Sequence, residues 1–489
     1  MRPACGAPLL MLGALALAGC AGQELQPCAL GYEVRAEPEE LAVEITIEGE
    51  CPRAWSLSGV EPRELEVEGA EGGPARVRVR DGRALLPPGT RRVRYRYPVL
   101  ALLRRSGHHS LSRGAGGRGS YMLEGSTYLL TPREVAAGSR VALSVRGLPA
   151  LLPWELAAPT GEGPRAGEPR AGEASGGGER RDDEAPRRRE LAPRDLRNLG
   201  HHAFGSRRRT IEVGGARLEL GFVAGALEVS DDQACAAIAQ AAREVLSARP
   251  SGTFPWPRLQ VVLVPAPASW EPAPFGQVLW SRPQSVALYL GEHAPNEELQ
   301  ADWTAVHELC HTLHPRILPG STWLTEGVAT YYQCVTRIRS GRRSEDAMWG
   351  AMAWGLEHGQ AEAGDLPLPE LSRRIHELHA YRGVYWGGAF LMLDLDLALR
   401  ARGKSLDGAL EALQARGPTD LAGFARGIDA YGGAGLWDEV SGRHLRGPTL
   451  ARGAELLARL GYELDGRPRA DFADAGPRAL RAALAARKD

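Results

Sequence analysis

The pair of clusters His307-Glu308-Leu309-Cys310-His311 and Trp323-Leu324-Thr325-Glu326-Gly327 constrains the fold more than any other stretch of the chain. The first lies in residues 303–313, where Val306, Leu309 and Leu313 recur with helical spacing. Asp302 can cap that helix and Pro315 ends it. Side chains four apart leave a helix on one face, about one turn apart, so His307 and His311 can reach a common point. Cys310 falls on the opposite, apolar stripe and reads as packing rather than as a ligand. Pro319-Gly320 breaks the chain, Ser321-Thr322 can cap a second helix, and Glu326 then sits in its first turn. The spacing therefore predicts two antiparallel helices, with one carboxylate laid over two imidazoles.

Two imidazoles and a carboxylate are the donor set of a catalytic zinc site, because three protein ligands leave one tetrahedral position open. The expectation is one Zn²⁺ ion on His307, His311 and Glu326. Glu308 is turned away from that point yet close enough to take a proton from a water there, which is the position of a general base. His314 is a rival ligand. Metalloproteases with three histidines, however, need a glycine turn followed by a further histidine, and this chain has Ile317 at that point. The bland alternative is a helix whose two histidines are merely hydrogen-bonded at the surface.

The rest of the chain divides by periodicity. Residues 21–158 form short period-two runs, such as 41–47, 91–97 and 141–145, separated by Gly/Pro turns, and predict an antiparallel β domain. Residues 159–195 contain Gly176-Gly177-Gly178 and Arg187-Arg188-Arg189 with almost no apolar side chain, and predict a disordered insertion. Residues 196–230 return to strand patterns. A helix at 236–248, a buried strand at 259–264 and a hairpin of 278–280 with 285–290 open the catalytic segment 231–345, and helices fill 346–489. The whole predicts an α+β chain. Strand 285–290 is expected to present an open edge to an extended peptide. With 59 basic and 60 acidic residues the formal charge is −1, which gives no reason to expect a nucleic-acid partner.

Residues 1–20 join Arg2, a short apolar run and Leu17-Ala18-Gly19-Cys20, the shape of a bacterial lipoprotein signal ending at a lipidated Cys20. This predicts export and anchoring of the chain to a membrane through its lipid, with Ala21 favouring the outer membrane. Cys28 and Cys51 are a plausible disulfide in that oxidising setting.

The paired motifs resemble those of the gluzincin metallopeptidases, and more closely the glycyl aminopeptidase family. Similarity extends upstream through Phe254-Pro255, residues 261–264, Pro274-Phe275-Gly276 and Asp302-Trp303, and downstream through Tyr385-Trp386-Gly387-Gly388-Ala389, Leu393-Asp394 and 403–407. The resemblance implies a thermolysin-like catalytic domain with a mainly helical C-terminal half, a peptide or protein substrate, and Tyr385 as the catalytic tyrosine that donates to the oxyanion. Tyr381, His376 and His379 lie nearby as competitors for that role. The family holds the substrate's free amine with an acid on the strand before the zinc helix. The corresponding residues 280–284 offer none. No family-type peptide-binding module is expected after the helical segment 450–488.

The expected activity is peptide-bond hydrolysis by metal-activated water. The rival reading is an inactive scaffold of the same family, acting in binding or envelope assembly.

Overall fold

The computed structural model describes residues 26–69, 73–103, 114–117, 119–154, 187–318 and 320–486. The expected signal of residues 1–20, with Cys20, and most of the charged segment 159–195 lie outside these residues.

Alternation builds the N-terminal domain. In Leu41–Glu48 the side chains of Leu41, Val43, Ile45 and Ile47 are buried, while Glu44 faces out and pairs with Arg92 and Arg94 of the neighbouring strand. Seven strands run in the order Arg187–Leu191, Arg140–Gly147, Ala29–Ala36, Leu41–Glu48, Thr90–Tyr97, Arg63–Gly69, Ala75–Arg76. Every pairing is antiparallel except that of Ala29–Ala36 with Arg140–Gly147. A disulfide joins Cys28 to Cys51, closing a separation of 23 residues, which for a loop of that size contributes about 3 kcal/mol.

Arg187–Leu191 corrects the reading of 159–195 as disordered throughout. This strand pairs with Arg140–Gly147 at the sheet edge, keeps Arg188, Arg189 and Glu190 in solvent and buries Leu191. Charged side chains suit an edge strand, whose stability comes from its backbone ladder.

The second sheet is mixed and carries the site. Its strands are β1 (Arg207–Val213), β2 (Ala216–Phe222), β3 (Arg258–Ala266), β4 (Phe275–Leu279) and β5 (Ser285–Gly291), in the spatial order β1-β2-β3-β5-β4. The strands at 207–222 thus belong to the sheet that packs on the helices, which starts before residue 231. One face, with Leu259, Val261, Val286 and Leu288, packs on the helices. The other, with Val262, Val264, Ala287 and Tyr289, packs on Met122, Leu151 and Ala203 of the N-terminal domain. Burial on both faces explains the unbroken apolar runs of β3 and β5. It also overturns the expectation that 285–290 is an open edge. β5 is interior, bonded to β3 and β4, and the edge is β4.

Helix α1 (Asp231–Leu246) starts at a capping box of Ser230 and Gln233. After β5 come α2 (Thr304–Cys310), α3 (Thr322–Arg339), α4 (Glu345–Ala363) and α5 (Tyr381–Arg400). Helices α3 and α5 cross at glycines. A Cβ on Gly388 would lie 1.9 Å from the Trp323 carbonyl oxygen, and one on Gly327 2.5 Å from the Gly388 carbonyl carbon. No helix among the described residues is long and apolar enough to cross a membrane.

Candidate metal centre

Trp303, not Asp302, occupies the N-cap position of α2 and makes no side-chain cap, while the Asp302 carboxylate one residue earlier accepts the Thr304 backbone N–H at 2.7 Å. The helix carries His307 and Glu308, and the 3₁₀ turn His311–Leu313 continues it with His311 on the same face. Helix α3 lies alongside and supplies Glu326. One carboxylate oxygen of Glu326 stands 3.2 Å from His307 Nε2 and 3.6 Å from His311 Nε2. One ligand atom from each of the three lies within 4.8 Å of the other two, and among the described residues no other His/Cys/Asp/Glu group meets that condition.

The second ring nitrogen of His307 tests the fit of a metal. Nδ1 lies 2.7 Å from Gln333 Oε1, an acceptor, so Nδ1 carries the proton and the Nε2 lone pair faces Glu326. In the neutral ring two acceptors then face each other across 3.2 Å, a pair that is satisfied by a shared cation, either a proton on His307 or a metal ion. Gln333 leaves α3 two turns after Glu326, on the same face. The sequence reading missed it, although the seven-residue spacing was there to be read.

Charge around the cluster is strongly coupled. Burial works against ionised Glu326, but the His311 and His307 imidazoles outweigh it and hold the carboxyl well below its usual range. Burial also works against charged His307, and the hydrogen bond with Glu326 and the nearby Glu308 and Glu326 charges reverse that, raising its pKa. Glu308 is buried and takes no part in the donor convergence. Burial raises its pKa, and Glu326 adds to the rise against the two imidazoles.

Tyr385 projects from the first turns of α5 and stacks on His307, with ring centroids 6.0 Å apart and planes within 9°. Burial first, then the Glu326 and Glu308 carboxylates, keep its phenol protonated. The competitors make other contacts. Tyr381 is exposed and hydrogen-bonds His376 at 3.0 Å, and His379 is exposed beyond it. His314 is fully buried against the far nitrogen of His311, its Nε2 3.4 Å from His311 Nδ1, and so supports that ring from behind. Cys310 is fully buried, as its stripe position implied.

Edge strand β4 runs past Glu308. Gly276 faces Glu308, whereas Gln277 points to the N-terminal domain, where it meets His201 at 3.1 Å and donates to Glu124 at 3.3 Å. A carboxylate of the N-terminal domain, Glu124, is thereby bonded to edge strand β4.

The fold matches that of two-domain M1 zinc metallopeptidases, with an N-terminal sheet domain ahead of a second half that ends in helices. In structure the chain is similar to an aminopeptidase N family protein from Idiomarina loihiensis (14% identity, TM-score 0.63, 89% of this chain and 78% of that one). It is also similar to an M1 zinc metallopeptidase from Deinococcus radiodurans, solved as a mutant bound to a Tyr-Ser-Ala substrate (16%, 0.50, 86% and 94%). A third is a two-domain M1 zinc metallopeptidase mutant bound to L-arginine (17%, 0.50, 87% and 95%). At these identities the likeness is one of fold. No protein-family model and no curated protein sequence matches the chain.

Proposed function

We propose that the chain is a zinc-dependent peptidase that cleaves peptide bonds with Glu308 as general base. The observation that carries this reading is the convergence of His307, His311 and Glu326 beside a buried carboxylate that stands outside it. A zinc ion on these three donors supplies an electrophile for the scissile carbonyl and lowers the pKa of a water to about 7. Glu308, made more basic by burial, takes the proton of the attacking water and returns it to the leaving amine. Tyr385, which keeps its proton, donates its O–H to the developing oxyanion. The open edge of β4 offers backbone groups to an extended peptide beside Glu308.

Purified protein is expected to carry one zinc per chain and to cleave members of a mixed peptide library. Glu308→Gln is expected to keep the zinc and lose about 10²–10⁴ in rate. Zinc without cleavage favours the inactive scaffold, and absence of zinc removes both readings.

We also propose that the chain is exported and lipid-anchored at Cys20, in the outer membrane of a bacterial envelope. The Cys28–Cys51 disulfide supports an oxidising compartment. Cys20→Ser is expected to release the protein from the membrane fraction, and retention would overturn the anchor.

A further inference from the structure

A cavity of about 580 Å³ opens directly beside His307, within the size range of small-molecule sites, roughly 300–1,000 Å³. It is enclosed by the start of α2 and by α3, α4 and α5, so its walls are fixed by helix packing rather than by loops. His307 and Tyr385 belong to its wall, which makes it continuous with the candidate metal centre.

Its surface is aromatic. Seven large hydrophobic side chains among the described residues are substantially exposed, and three of them, Trp303, Trp354 and Tyr381, line this one cavity. Scattered apolar side chains on a surface are ordinary, but three large aromatic ones around a concave site mark a recognition surface. Trp386 and Met348, both buried, extend the apolar lining. Trp386 is seated by Gly355 of α4, where a Cβ would lie 2.1 Å from the indole. Ala347 and Ala351 of the same helix leave the space open.

The charged groups in the wall are engaged. Arg337 and Arg343 both donate to the Ala301 carbonyl, and Arg382 pairs with Glu362 at 2.7 Å with its guanidinium over the Trp354 ring. None of the lining side chains is acidic, so a basic occupant finds no partner there.

We propose that this cavity selects substrates with a bulky apolar side chain, aromatic before aliphatic, at a position flanking the scissile bond. The assignment rests on the peptidase reading for its link to catalysis, but the binding it describes is measurable without turnover. In a digest of a mixed peptide library by the zinc-loaded full chain, Phe, Tyr, Trp and Leu are expected at least tenfold above Ala, Asp and Lys at one position beside the cleaved bond. Discrimination of this order is what an apolar pocket provides. Ala351→Phe, which fills the cavity without touching the metal donors, is expected to cut the Phe-over-Ala ratio of kcat/KM at that position tenfold or more. Cleavage without preference at either flank, or a preference that Ala351→Phe does not move, overturns the proposal. The Glu308→Gln protein supplies the second arm, by calorimetry with short peptide pairs differing only by Phe or Ala. Tighter binding of the Phe member by about tenfold, lost in the Glu308→Gln/Ala351→Phe double variant, supports the cavity even if the wild type cleaves nothing. In that case only the peptidase reading falls. Equal binding of both members overturns the cavity assignment whatever the activity.

Discussion

Gly276 of the edge strand meets Glu308 of the zinc-motif helix with no room for another carbon. A Cβ on Gly276 would lie 2.4 Å from Glu308 Cγ and 2.7 Å from its Oε1. Gly276→Ala therefore has a defined consequence, because the strand is held by its ladder to β5 and the flexible carboxylate must yield. Displacing a base by about 1 Å can cost about 10²-fold in rate. The expected result is a fall of that order in kcat with one zinc still bound and little change in melting temperature. Full activity in Gly276→Ala would show that Glu308 does not work from the position described.

Gln333 fixes the tautomer of His307 through its 2.7 Å contact with Nδ1. Partners of metal-bound histidines typically account for 10–100-fold in metal affinity. Gln333→Leu keeps the bulk and loses the acceptor, so zinc affinity measured by chelator competition is expected to fall within about that range. An unchanged affinity would mean that the imidazole is held by packing alone.

Tyr385 separates a catalytic from a packing role through one oxygen. Tyr385→Phe keeps the ring stacked on His307 and removes only the hydroxyl. Loss of an oxyanion donor typically costs about 10²–10³ in kcat, and KM is expected to change little. A drop confined to thermal stability would assign the residue to packing.

The donor residues were legible because helix periodicity converts sequence distance into spatial direction. His307 and His311 share a face by spacing alone, and the helix that opens at Thr322 carries Glu326 over them. Strand order carries no such rule. Strand 285–290 is no edge, because its unbroken apolar run is what a strand buried on both faces requires, and Gly276-Gln277 is what an edge tolerates. The pairing of Arg187–Leu191 was hidden because composition reports side chains, whereas this strand is held by its backbone. The place of Tyr385 over His307 depends on Gly388 passing within touching distance of Trp323, a helix crossing that only the packed structure reveals.

His202, in the strand that joins the N-terminal domain to the mixed sheet, gives the fold an acid limit. In the neutral form both ring nitrogens are satisfied, with Nε2–H donating to the Leu199 carbonyl at 3.0 Å and Nδ1 accepting the Tyr128 hydroxyl at 2.7 Å. The ring is fully buried, with Trp154 edge-on at 5.6 Å. Burial, only partly offset by the Leu199 carbonyl and reinforced by neighbouring His201, lowers its pKa from 6.5 to about 3. His201 itself is lowered to about 4, again chiefly by burial. Between those values and 6.5 the unfolded chain binds protons that the folded protein refuses. Stability is therefore complete above about pH 6.5 and declines on acidification toward pH 3–4. At about 1.4 kcal/mol for each unit of difference, the decline from pH 7 to pH 4 is on the order of 3 kcal/mol for each of the two histidines. Urea unfolding across that range is expected to show it. His202→Gln, less stable at neutral pH through its altered hydrogen bonds, is expected to show a shallower dependence. Parallel pH profiles for wild type and variant would place the acid sensitivity elsewhere in the molecule.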